Sequence, residues 1–193
     1  RLFVMKIISF KFLLSLAFLF LLIGSSVVFA QEVKEDVWIV EQHEGVGIVA
    51  RVNGLITYGD KFNAKIEEVE CQEVETYFSF YTTENNKDIL KLEGRVFPIK
   101  YNNENIYAKI LSVFKILNGH AVIFHLGFNP IDFISNYYRD KLKISVELVD
   151  EEAFQASEYF NVLKNEWSLK NFEPSLIEAQ SLCRKGNGTG LPN

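Results

Sequence analysis

The sequence predicts a mainly β chain: an antiparallel β-sandwich or barrel of about eight or nine strands, with short helices mostly toward the C-terminus. Three observations carry that expectation. Val74, Thr76, Phe78 and Phe80 alternate with Glu73, Glu75 and Ser79, and Leu142, Ile144, Val146 and Leu148 alternate with Lys141, Lys143, Ser145 and Glu147. This is the period-2 pattern of strands with one wet face. Asn53-Gly54 and Asn118-Gly119 each sit between apolar runs, as two-residue hairpin turns with positive φ require. Asn85-Asn86-Lys87-Asp88 and Asn102-Asn103-Glu104-Asn105 add polar breaks, which read as longer loops.

In chain order, Met5 opens a basic start with Lys6 and Lys11, an apolar run from Phe12 to Ile23, and small residues ending at Val28-Phe29-Ala30. That is the build of a cleaved secretory signal peptide. Its apolar run of about a dozen residues is short of the roughly 20 a membrane span needs. Residues 1–30 are therefore expected to be upstream sequence and leader, with the mature chain starting at Gln31. No cysteine follows the run to carry a lipoprotein's lipid. VWIVEQ and GIVARV read as strands joined by HEGVG, and LITYG as the strand after Asn53-Gly54.

The run from Ile106 to Leu117 is apolar at both odd and even positions. A strand with two apolar faces is expected to have one in the core and the other under a helix or loop. Asn129-Pro130 suggests an N-cap with proline at the first helical position. Ala153, Ala156, Phe160, Leu163 and Trp167 fall at 3, 4, 3, 4 spacing, which predicts an amphipathic helix. A further helix is expected from Pro174 through SLIEAQSLC. The polar, Gly-rich end suggests a disordered tail over residues 186–193. One disulfide-linked β-rich domain is thus expected over 31–185.

Charge and cysteines narrow the function classes. The chain carries 20 basic and 25 acidic residues. Residues 1–30 hold three of the basic ones and no acid, so the expected mature chain has 17 against 25, a net charge of about −8. Nucleic-acid binding is disfavoured, because that charge repels phosphates. Cys71 and Cys183 are the only cysteines, and in an exported chain they are expected to form a structural disulfide. Closing 112 residues restricts the unfolded chain by up to about 4–5 kcal/mol. A nucleophilic thiol is disfavoured, since Glu67, Glu68, Glu70, Glu73 and Glu75 surround Cys71 in sequence and would raise its pKa.

The reactive candidates are few. His120 and His125 flank four apolar residues; in a strand their odd separation points them to opposite faces. His43 and Glu44 lie in HEGVG, where a turn is the simpler reading and a general base the sharper one. No G-x-S-x-G, phosphate-binding loop, complete G-x-G-x-x-G or HExxH occurs. Asn187-Gly188-Thr189 matches a glycosylation acceptor, a triplet common by chance.

The expected function is therefore an exported, periplasmic or secreted, acidic module that binds a protein or envelope component without a cofactor. One form of it is an inhibitor or immunity-type protein that meets a basic enzyme, with peripheral membrane contact as a further option. Trp38, Tyr58, Tyr77, Tyr81, Tyr137 and Tyr138 are the anchor candidates, most of them expected in the core. Two alternatives come from other classes. An envelope hydrolase or metal-dependent enzyme would bring His43 and Glu44 to His120 or His125 in one cleft. A small apolar ligand carrier would enclose a cavity lined by Phe78, Phe80, Phe114 and Phe124.

Overall fold

In the computed structural model the described residues are 37–43, 47–152 and 154–188. The expected leader, Glu44, Ala153 and the last five residues lie outside them. Nine strands form: β1 (Ile39–His43), β2 (Gly47–Asn53), β3 (Lys61–Ile66), β4 (Glu73–Thr82), β5 (Val96–Tyr101), β6 (Glu104–Ile116), β7 (Gly119–Pro130), β8 (Lys143–Leu148) and β9 (Lys164–Ser168). They make a single sheet, paired antiparallel throughout, in the order β1-β2-β3-β4-β7-β6-β5-β8-β9. The sheet curls into a half-barrel, so the mainly β class holds in its barrel-like form. Two helices, α1 (Ile131–Tyr138) and α2 (Phe172–Gly188), follow β7 and β9.

The alternation seen in the sequence decides which face is buried. Val74, Thr76, Phe78 and Phe80 of β4 and Ile144, Val146 and Leu148 of β8 all point inward and are buried. The inside of the curl is filled with rings. Phe78 stacks on Phe124 at 4.9 Å, and Trp167 stands 5.9 Å from both Phe62 and Phe78. Helix α2 closes the same side over β1–β3, setting Phe172 4.8 Å from Trp38 and burying Leu176, Ala179 and Cys183 on its 3–4-spaced stripe. Cys183 bonds Cys71 in the β3–β4 turn, so the expected disulfide joins helix to sheet across 112 residues. Gly186–Gly188 continue the helix rather than starting a tail.

Several local expectations are corrected. Asn53-Gly54 is not a two-residue hairpin, because seven residues separate β2 from β3. Gly54 is needed there for close approach, since a Cβ would collide with the Asn165 amide and the Thr57 carbonyl. At the β6–β7 hairpin the two turn residues are Leu117 and Asn118, one position earlier than expected; Ile116 pairs with Gly119, and Leu117 has φ 51°. Gly119 itself lies against the Thr82 carbonyl and the Tyr81 ring, with no room for a side chain. Asn102 and Asn103, expected in a longer loop, form a two-residue turn, both with positive φ (50° and 69°), between paired Tyr101 and Glu104. Pro130 is the N-cap of α1 and Ile131 its first helical residue.

The 3,4-spaced stripe from Ala153 to Trp167 is no helix. Ala156–Glu158 make one 3-10 turn and Lys164–Ser168 become the edge strand β9. Ala156, Phe160 and Trp167 are buried, as the stripe requires, but from three different local structures.

The β2–β3 loop reaches the far end of the sheet and fastens onto β9. Leu55 N–H donates to the Glu166 carbonyl at 2.8 Å. Buried Asn165 accepts from Ile56 N–H at 3.0 Å and donates to the Thr57 carbonyl at 3.1 Å and the Asp60 carboxylate at 2.7 Å. The other Asp60 oxygen accepts from Tyr81 N–H at 2.6 Å. Burial pushes the Asp60 carboxyl up to about 6, against the lowering effect of those two hydrogen bonds.

An acid whose folded pKa exceeds its unfolded value adds its full stabilisation only where both states are protonated, below about pH 4. As pH rises toward 6 the unfolded chain ionises first, so folding loses up to about 3 kcal/mol of relative stability by pH 7. Urea unfolding of wild type and Asp60→Asn between these pH values should show the wild type losing more of its stability on that rise. Parallel pH profiles for the two proteins would refute the assignment.

Candidate binding surface

The sequence-predicted reactive residues do not converge. His43 is half exposed on β1, where Nε2 lies 3.0 Å from Glu41 Oε2, and Glu41 also accepts from Arg51 at 2.6 Å. His125 sits on the outer face of β7, 3.3 Å from Glu75 Oε1, with its ring edge to Phe128 at 5.4 Å. Three strands, β2, β3 and β4, separate β1 from β7, which places His43 on the order of 15–20 Å from His125 at ordinary strand spacing. His120 is opposite Thr82 and Lys115, on the face of β7 away from His125. The odd-separation argument therefore holds for the histidine pair. Among the described residues no three His, Cys, Asp or Glu side chains gather to hold a metal ion.

Of the four phenylalanines proposed to line a cavity, Phe78, Phe80 and Phe124 pack against one another and Trp167, while Phe114 is on the opposite face, 45% exposed. Open clefts occur elsewhere. One of about 360 Å³ is bordered by Glu70, Glu73, Asp132, Gln180 and Arg184, and another of about 410 Å³ by Ile39, Arg51, Tyr58 and Lys61. Neither includes a histidine or cysteine.

The aromatic anchor candidates divide. Trp38 is buried and donates to the Ser168 carbonyl at 2.8 Å. Tyr138 is buried with its hydroxyl against that of Tyr101, and burial raises the pKa of both phenols. Tyr77 and Tyr81 are partly covered on the outer face of β4, the latter donating to Asn118 Oδ1 at 2.6 Å. Tyr137 carries Lys141 Nζ 3.5 Å above its ring, and Tyr58 is exposed.

An exposed apolar strip lies where the two-faced strand had predicted a covered one. On β6 and the neighbouring start of β5, Val96, Tyr107, Leu111, Phe114 and Ile116 are all exposed, Tyr107 at 74%, and Leu117 at the hairpin tip is 89% exposed. A bulge at Leu111 shifts the register between Ile110 and Ser112. It exchanges the faces, so Ile110 and Val113 are both buried while Leu111 and Phe114 look outward. Helix α2, one of the expected covers, lies against β1–β3 instead.

The stretch of chain that carries this strip is less acidic than the whole. Between Lys87 and His120 there are six Lys and Arg against three Asp and Glu, in a chain of net −5. Lys109 lies within the strip, paired with Val96 and His125 across the ladder, and Arg95 stands 5.1 Å over the Phe97 ring. An apolar strip with Lys109 inside it, and the His125–Glu75 pair beside it on the same outer face, offers a surface for recognition. The sequence held a signal for it in the apolar residues on both faces of Ile106–Leu117, although it was read there as a covered face. Comparisons of the chain with protein-family models, curated proteins and solved structures find no match.

Proposed function

We propose that this chain is an exported, non-enzymatic binding module that engages a protein or envelope component through the outer face of β5 and β6. The observation that carries the reading is the exposed strip Val96, Tyr107, Leu111, Phe114 and Ile116 on an ordered sheet. Rigid strands present aromatic and branched side chains at little entropic cost, which is how interface anchors work. The buried disulfide supports an oxidising, periplasmic or secreted location. The acidic balance of the chain as a whole favours encounter with a basic protein, in keeping with an inhibitor or immunity-type role, while Lys109 at the strip itself favours acidic groups at the contact.

The test is capture from native envelope extract at about 0.15 M salt, comparing wild type with the double variant Tyr107→Glu, Phe114→Glu. Both side chains are exposed, so the variant should unfold at nearly the same urea concentration. Loss of a central anchor typically weakens binding by about 30-fold or more, and a specific partner should be absent from the variant's eluate. Equal recovery by both proteins, or no retained species at this salt, would overturn the reading.

A further inference from the structure

Strand β6 is longer than its neighbour on one side. Its pairing with β5 ends at Val96↔Lys109, followed only by the bonds from Gly94 N–H to the Ile110 carbonyl and from Ile110 N–H to the Arg95 carbonyl. Its pairing with β7 continues to Ile116↔Gly119. Antiparallel ladders alternate the direction of their backbone groups. The register therefore turns Ser112, Phe114 and Ile116 toward β7, and Val113 and Lys115 toward the open side. Among the described residues one group on that side has a partner: Val113 N–H donates to Glu93 Oε2 at 3.3 Å. Among the described residues Lys115 has no ion pair and no strand beyond it. This is an internal sheet edge flanked by the exposed side chains of Phe114, Ile116 and Leu117, the kind of edge that recruits another strand.

We infer that the occupant of this edge is a second copy of the same chain, paired antiparallel about Phe114. The edge is self-complementary in three respects. With Phe114 opposite the partner's Phe114, Val113 falls opposite the partner's Lys115, and these are the two residues whose backbone groups face outward. Four N–H···O bonds then form around a two-fold axis. Opposed residues of an antiparallel pair share a face, so the two Phe114 rings meet on the outer side and Ser112 meets the partner's Ile116. The charges also match. Glu93, released from Val113 N–H by the incoming carbonyl, lies beside the partner's Lys115, and the symmetry supplies this pair twice. A register centred on Lys115 would oppose two ammonium groups and is excluded by their repulsion.

The dimer extends one sheet across two molecules and sets their exposed strips side by side. It does not depend on the binding function proposed above.

Sedimentation velocity of the oxidised protein across a micromolar concentration series tests it. A reversible monomer–dimer equilibrium is expected, with slower hydrogen exchange at the Lys115 amide as concentration rises. Lys115→Pro removes an edge N–H that the monomer's ladder does not use, and should leave a monomer with wild-type unfolding. Glu93→Lys and Lys115→Glu should each weaken the dimer at least tenfold, and the double exchange should restore it. The exchange pair decides the matter if the proline variant fails to fold. A monomer at all concentrations, a dimer that survives Lys115→Pro, or single charge variants that the double exchange does not rescue would overturn the inference. If the strip variant loses its captured partner while the wild type remains monomeric, the binding reading stands and the edge-paired dimer falls.

Discussion

Replacing Asn165 with leucine is expected to destabilise the protein by about 3–5 kcal/mol, because it strips a buried amide of several bonds at once. Its oxygen receives Ile56 N–H, and its Nδ2 serves both the Thr57 carbonyl and the Asp60 carboxylate. Leucine has the same branched outline with bulkier methyl groups, so the loss comes from stranded polar groups and crowding rather than a cavity. The Asp60 carboxylate keeps only its bond from Tyr81 N–H, and a buried carboxylate with one donor removed is the costliest of these groups. The Asp60 requirement also makes Asn165→Asp a poor substitute, since it would set two carboxyl groups together. Urea unfolding followed by tryptophan fluorescence measures the loss directly, as Trp167 is two residues away in the same strand. A loss below about 1 kcal/mol would mean that water or a shifted loop satisfies those groups.

The second large effect concerns the disulfide. Reducing Cys71–Cys183, or replacing both cysteines with alanine, should cost about 2–5 kcal/mol. The bridge closes 112 residues and pins α2 to the β3–β4 turn, adding a covalent tie to its hydrogen bonds and to the packing of Phe172, Leu176 and Ala179. Cys71 N–H donates to the Glu67 carbonyl at 3.2 Å, and Gln180 Nε2 donates to the Cys71 carbonyl at 2.8 Å. Amide exchange in α2 should accelerate before that in β4 and β7, whose phenylalanines stack independently of the helix. An unchanged urea midpoint under reducing conditions would show that the helix needs no tether.

Much of this architecture was legible because it rests on local rules. Period-2 alternation placed β4 and β8, an odd separation put His120 and His125 on opposite faces, and a lone pair of cysteines in a chain read as exported implied a bridge. The failures share a different cause. Asn53-Gly54 has hairpin chemistry, yet Gly54 is set by contact with Asn165, more than a hundred residues away. Phe160 and Trp167 have helical spacing, yet a strand of five residues, Lys164–Ser168, is too short to display its own period against a coincidental 3–4 stripe. The exposed strip was half legible. Two apolar faces on Ile106–Leu117 were visible, but the bulge at Leu111 and the absence of a covering helix follow from packing of the whole chain.

The clasp between the β2–β3 loop and β9 has a consequence for the order of assembly. Asp60 and Asn165 are 105 positions apart, and Cys71 must wait for Cys183 over a similar span. As the chain emerges from its N-terminal end, β1 to β4 can pair early, but the Leu55 and Ile56 amides of the loop have no partner until β9 is made. Cys71 likewise has no thiol to meet. Both closures await the same late-arriving stretch of chain. An intermediate halted before that point would carry an open seam and a free Cys71 thiol, accessible to an oxidant or a mispaired neighbour, until β9 and α2 arrive together.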